Sequence, residues 1–120
     1  MRIAMYLRLS IEDGDLADSG KAESESISNQ RGMLRNFIDS RPEFSGWEVC
    51  EFCDDGWSGK NFDRPAFRKM IEQMKQGQIQ CIVVKDLSRF GRDYLEVGNY
   101  ISRIFPFLGV RFIAVNDGFD

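Results

Sequence analysis

Two short stretches carry the residue types that could do chemistry. In VVKDLSRFGRD, positions 83–93, an apolar run stops at Lys85–Asp86, and Arg89 and Arg92 then bracket a glycine. In YLRLS, Arg8 precedes Ser10 by two residues, and residues two apart in a strand share a face. A serine beside a guanidinium is a candidate nucleophile. Paired arginines at the end of an apolar strand form a candidate anion clamp. Open α/β sheets hold their ligands at the carboxyl ends of strands, and guanidinium forks bind oxyanions bidentately. Each stretch also has a plain alternative. The arginines could be solvated on a surface turn, and the serine could bond its local backbone.

The chain has no histidine. That excludes Ser-His-Asp and Cys-His catalysis and every His-ligated metal mechanism. Any enzyme chemistry must therefore run on Ser, Arg, Asp, Glu, Lys, Tyr or Gln. Cys50 and Cys53 have metal-like spacing, with Cys81 apart from them. A structural zinc needs four ligands, and no second pair exists. WEVCEFCDD also looks like a strand, where residues three apart face opposite ways. Reduced, half-buried thiols and no metal are the expectation.

The 120 residues allow one domain with its own core. With 42% hydrophobic and 29% charged residues, the composition is that of an ordinary globular chain. No apolar run is long enough to span a membrane, and MRIAMYL lacks a signal-peptide layout. A cytoplasmic protein with no membrane partner is expected. The net charge of −3 does not suit a nucleic-acid binder. Contact with nucleic acid would have to come from a local basic cluster or from sequence outside this chain.

The elements that must position these residues alternate. RIAMYLRL predicts a first strand, followed by an acidic Ser/Gly-rich loop, EDGDLADSGKAESES. SISNQRGMLRNFIDS puts Ile27, Leu34 and Ile38 on one helical stripe, with Ser24 or Ser26 as N-cap. GWEVCEFC predicts a second strand. DRPAFRKMIEQMKQG predicts a helix capped by Asp63, opened by Pro65 and ended by Gly77, with Phe67, Met70, Ile71 and Met74 inward. CIVV predicts a buried parallel strand. DYLEVGNYISRIFPFLG predicts a third helix, disturbed near Pro106 and ended by Gly109, and VRFIAVND a last strand. The β-α-β order argues for a mostly parallel sheet of four to five strands flanked by helices. The arginine loop then forms the turn from the third strand into the third helix, with backbone N–H groups able to face an anion.

YLRLS, SISNQ, DDGWSGKNFDRPAF and VVKDLSRFGRD stand in this order along the chain. Together they resemble the catalytic domain of the serine recombinases, the resolvase/invertase family, over essentially all 120 residues. DLSRFGRD looks most like the large, transposon-borne members. The resemblance implies a resolvase-like three-layer α/β domain at 1–120. It makes Ser10 the nucleophile that attacks a DNA phosphodiester, leaving a 5′-phosphoserine link and a free 3′-hydroxyl. Arg8, Arg64, Arg89 and Arg92 match the family's phosphate-binding arginines, and Gln30 its active-site glutamine. The small resolvases have Asp directly before the first arginine of the loop. Here that place is Ser88, and Asp86 lies two residues earlier, to orient an arginine or handle protons.

Phosphoryl transfer is mostly positioning and charge stabilisation, so arginines can replace metal ions and no cofactor is implied. Double-stranded DNA is the implied partner, bound by a homodimer that assembles into a tetramer in a longer protein. The oligomerisation helix and DNA-binding domains of that longer protein are absent here. Two rivals remain: a degenerate phosphate- or partner-binding domain, and a serine phosphoesterase of similar fold. Lys60, Tyr6, Trp57 and Phe62 are expected to be loop or packing residues.

Overall fold

The computed structural model describes residues 1–9, 25–55, 64–91 and 94–120. Among them four strands form one sheet: β1 (Arg2–Leu9), β2 (Glu48–Asp55), β3 (Cys81–Val84) and β4 (Arg111–Ala114). Their spatial order is β2-β1-β3-β4, and every pairing is parallel. β1 therefore lies inside the sheet, paired with β2 along its length and with β3 from Ile3 to Met5.

The alternation of β1 sorts its side chains into two cores. Ile3, Met5 and Leu7 pack with Ile27, Leu34 and Ile38 of α1 (Glu25–Asp39). Ala4 and Tyr6 face the other layer, with Phe67, Met70, Ile71 and Met74 of α2 (Pro65–Lys75). The predicted stripes on both helices are the buried ones. α1 begins at Glu25, so Ser26 lies within it rather than at its cap. Ser24, Trp57, Lys60, Phe62 and Asp63 lie outside the described residues.

After α2, Gly77 adopts φ 76°. Its N–H bonds the Met74 carbonyl, and the Gln78 N–H bonds that of Gln73, the Schellman ending that needs a left-handed residue. The predicted third helix is continuous but not uniform. α3 (Leu87–Phe90) is a separate short turn before it. α4 (Tyr94–Asn99) then passes through a π-turn, Tyr100–Ile104, into α5 (Phe105–Leu108). Pro106 has no N–H to give the Ser102 carbonyl. The ladder widens just before it, with the Phe105 N–H on the Tyr100 carbonyl, a five-residue step. Gly109, at φ 70°, closes the helix.

The last strand is shorter than VRFIAVND suggests. β4 stops at Ala114, opposite Val84, where β3 itself ends. Without a neighbour to bond, Val115–Asp117 turn as a 3-10 helix, and the Asn116 N–H reaches back to the Lys85 carbonyl at 2.8 Å. Cys50, Cys53 and Cys81 form no disulfide; the first two are partly exposed and Cys81 is buried. Cys50 packs against one core and Cys53 against the other. No helix among the described residues is long and apolar enough to cross a membrane.

Candidate active site

α3 starts directly after β3, with Asp86 as its N-cap. One Asp86 carboxylate oxygen accepts from the Arg89 N–H at 3.0 Å and from the Ser88 hydroxyl at 2.6 Å. The Leu87 N–H donates to Asp117 at 2.6 Å. Two carboxylates thus take up N–H groups that a helix start leaves unpaired. Asp86 contacts the backbone of Arg89, not its guanidinium, in these bonds.

At the other end of α3, the Leu87 carbonyl accepts the Gly91 N–H. The next three carbonyls fall to two arginines from elsewhere in the fold. Arg8 donates from Nη2 to the Ser88 carbonyl at 2.6 Å and from Nε to the Arg89 carbonyl at 3.0 Å. Arg64 donates from Nη2 to the Phe90 carbonyl at 2.7 Å. Arg8 and Arg64 are each fully buried. A buried guanidinium is tolerated only where its N–H groups find acceptors, and a helix C-terminus is rich in them.

Arg8 stands one position before the end of β1, where β3 has already parted from it beyond Met5–Val83. Gln30, buried on α1, fills that gap. Its Nε2 donates to the Arg8 carbonyl at 3.1 Å, and its Oε1 accepts the Arg8 N–H at 3.4 Å. The side-chain amide stands in for a peptide unit of a missing strand and fixes the backbone that carries Arg8.

Arg64 is the N-cap residue of α2 and makes no side-chain cap of its own. The cap comes from Asp54 at the end of β2. Its Oδ1 accepts from the Ala66 N–H and its Oδ2 from the Phe67 N–H, both at 2.9 Å. The Tyr6 hydroxyl donates to Asp54 Oδ2 at 2.8 Å and accepts from Arg64 Nη1 at 3.0 Å. The guanidinium also lies over the rings of Phe67 and Tyr6, at 5.1 and 5.5 Å from their centroids. Burial pulls the Arg64 guanidinium below its ordinary pKa, against the opposing pull of Tyr6 and Asp54. Burial likewise pushes the Tyr6 phenol well above its ordinary pKa, so the hydroxyl keeps its proton.

Phe90 anchors the loop from below. Its ring meets Phe67, Tyr100, Phe105 and Phe112 at centroid distances of 5.6, 5.8, 5.6 and 5.0 Å. Five of the sequence-predicted residues, Arg8, Gln30, Arg64, Asp86 and Arg89, therefore belong to one bonded assembly around α3. Ser10 and Arg92 lie outside the described residues. Tyr6, expected to be a packing residue, and Asp54 were not foreseen in the assembly. The one sequence signal for Asp54 is its place at the carboxyl end of a strand. Among the described residues no group of three or more His, Cys, Asp or Glu could hold a metal ion.

A family model described as the resolvase N-terminal domain matches residues 3–120. The chain belongs to that family. The resolvase-family fold is also evident in solved structures. The N-terminal catalytic domain of TP901-1 integrase is similar at 23% identity and a TM-score of 0.78, covering 98% of this chain and 79% of that one. A resolvase family site-specific recombinase from Streptococcus pneumoniae is similar at 28% identity and a TM-score of 0.72, over 100% of this chain and 75% of that one. The C-terminal catalytic domain of ISC1926 TnpA, an IS607-like serine recombinase, is similar at 22% identity and a TM-score of 0.72. It covers 96% of this chain and 70% of that one. No curated protein matches the chain. The expected family and the expected parallel α/β architecture are both borne out.

Proposed function

We propose that residues 1–120 are the catalytic domain of a site-specific DNA recombinase with Ser10 as its nucleophile. One observation carries the reading beyond family membership. Two buried arginines at the carboxyl ends of the sheet hold the loop of Arg89 by its carbonyls, leaving that loop rigid beside the end of the strand that leads into Ser10.

In this reading Ser10 Oγ attacks the scissile phosphorus and loses its proton. The P–O3′ bond breaks, and the departing oxygen takes up a proton as the 3′-hydroxyl. The product is a 5′-phosphoserine link, and attack by the 3′-hydroxyl of another strand reverses the step. Arg8, Arg64, Arg89 and Arg92 form the cationic surroundings of the phosphate, where negative charge spreads over the nonbridging oxygens. Gln30 holds the Arg8 backbone, and Asp86 holds that of Arg89. Bond energy is conserved, so the step needs no nucleotide, and the arginines supply the positive charge that metal ions supply elsewhere. Double-stranded DNA is the substrate. Recombination requires a dimer to assemble into a tetramer in the full-length protein.

The deciding experiment is a denaturing gel of the full-length recombinase with a nicked suicide substrate. A protein–DNA adduct is expected, and Ser10→Ala should abolish it while leaving DNA binding nearly intact. Turnover to free cleaved ends with no adduct would favour a serine phosphoesterase. An adduct that survives Ser10→Ala would overturn the nucleophile.

A further inference from the structure

We infer that Asp117 is a positioning residue for Arg89: the turn that follows β4 clasps the start of α3 and sets where the active-site loop stands. The inference rests on the proposed recombinase reading, since it assigns Asp117 a task in that reaction.

α3 has four residues, too few to hold a helical turn by themselves. Its carboxyl end is tied down by Arg8 and Arg64. At its amino end, the N-cap Asp86 belongs to the same loop and moves with it. The outside hold comes from Val115–Asp117. The Asn116 N–H donates to the Lys85 carbonyl at 2.8 Å, and Asp117 Oδ2 accepts the Leu87 N–H at 2.6 Å. These bonds fall on the two residues that flank Asp86. Asp86 is thereby kept extended, at φ −156° and ψ 171°, with its carboxylate on the Arg89 N–H.

The clasp is anchored on the sheet and not on α3. Ala114 and Phe119 exchange both backbone bonds, at 2.9 and 3.2 Å, and close the turn on itself. Gly118 makes the reversal at φ 61°, a conformation that glycine adopts without steric cost. The Phe119 ring lies 6.0 Å from that of Phe112 on β4. Asp117 is exposed, where a carboxylate ordinarily faces water, yet it turns back to a main-chain donor. A fixed turn that reaches out to a short helix carries the position of β4 to Arg89. Preorganised donors stabilise the developing charge of a reacting phosphate without rearranging, so slack at Leu87 is felt as a slower chemical step.

In the full-length recombinase, Asp117→Ala should slow single-turnover cleavage of the suicide substrate about fivefold, the rate equivalent of one N-cap bond. The DNA concentration for half-maximal cleavage should not change. Asp117→Asn keeps an oxygen for the Leu87 N–H and should cleave at nearly the wild-type rate. Leu87→Pro removes that N–H at a first-turn position where proline is accepted, and the extended Asp86 suits a following proline. In a Leu87→Pro background, Asp117→Ala should cause no further loss. Circular dichroism and thermal unfolding show which variants are folded, and the comparison of Ala with Asn serves if Leu87→Pro is not.

An Asp117→Ala variant that cleaves at the wild-type rate would overturn the positioning role and leave the recombinase reading standing. So would a loss confined to the half-maximal DNA concentration, or an Asp117→Asn variant as slow as Asp117→Ala. A full fivefold loss in the Leu87→Pro background would overturn it as well, because Asp117 would then act through some other contact. Absence of an adduct in the wild type would overturn the recombinase reading, and the positioning role with it.

Discussion

Arg8 and Arg89, both cationic, are joined through a carbonyl: Nε of Arg8 donates to the main-chain oxygen of Arg89 at 3.0 Å across 81 residues of sequence. The side chain of one arginine therefore fixes the backbone of the other. Their substitutions should separate accordingly. Arg8→Lys cannot span two carbonyls with a single ammonium. It should lose roughly 1–3 kcal/mol of stability through unpaired buried groups, together with cleavage. Arg89→Ala and Arg92→Ala remove only side chains. Each should unfold at nearly the wild-type temperature yet slow cleavage by ~10²–10³. Single-turnover cleavage and thermal unfolding on the same samples check this. Near-normal cleavage in both Arg89→Ala and Arg92→Ala would make the loop an ordinary surface turn.

Asp86 acts here as a cap, which separates its variants. Asp86→Asn retains an oxygen for the Arg89 N–H and should stay near wild type in stability. Asp86→Ala should cost about 1 kcal/mol, the usual value of an N-cap, and should slow cleavage by loosening the loop. Ser88→Ala should be mild. Urea unfolding beside the cleavage assay checks the order. A cleavage loss in Asp86→Asn as large as in Asp86→Ala would assign the carboxylate a charge-dependent role instead.

Metal removal should leave the chemical step intact, because arginines supply the positive charge in the proposed mechanism. Cleavage of a suicide substrate in EDTA, at matched ionic strength, should match that in magnesium. A strict divalent requirement for adduct formation, after synapsis is complete, would point to a nuclease-like mechanism.

Alkaline pH should weaken the fold through Cys81. Burial pushes this thiol up to about 12 from an ordinary 9.0. With the folded value raised, its contribution is whole below about pH 9. It is then lost as pH climbs toward 12, because only the unfolded chain releases the proton. The slope is at most ~1.4 kcal/mol per pH unit for one group. Urea midpoints at intervals between pH 8 and 11 should fall more steeply for wild type than for Cys81→Ala. Parallel slopes would show that the thiol does not couple to folding. Tyr6, also raised by burial, adds to the decline in both proteins above pH 10 or so.

Local rules made much of the architecture legible. The spacing of Phe67, Met70, Ile71 and Met74 specified both a helix and its buried face, since the 3.6-residue period lives in neighbouring residues. Gly77 and Gly109 marked helix ends because their positive φ is a property of one position. The apolar CIVV run announced a strand covered on both faces, and element order implied parallel pairing. Four ordered motifs identified the family and nominated the arginines.

What the residues around each arginine do was decided by tertiary structure alone. No local pattern says that a Gln30 amide completes the edge of β1, or that Asp54 caps a helix opening eleven positions later. Nor does one say that Arg8 and Arg64 divide the carbonyls of α3 between them. These bonds join groups distant along the chain. They exist because the β2-β1-β3 order brings three strand ends together, and a buried polar group must take whichever partner the fold places beside it.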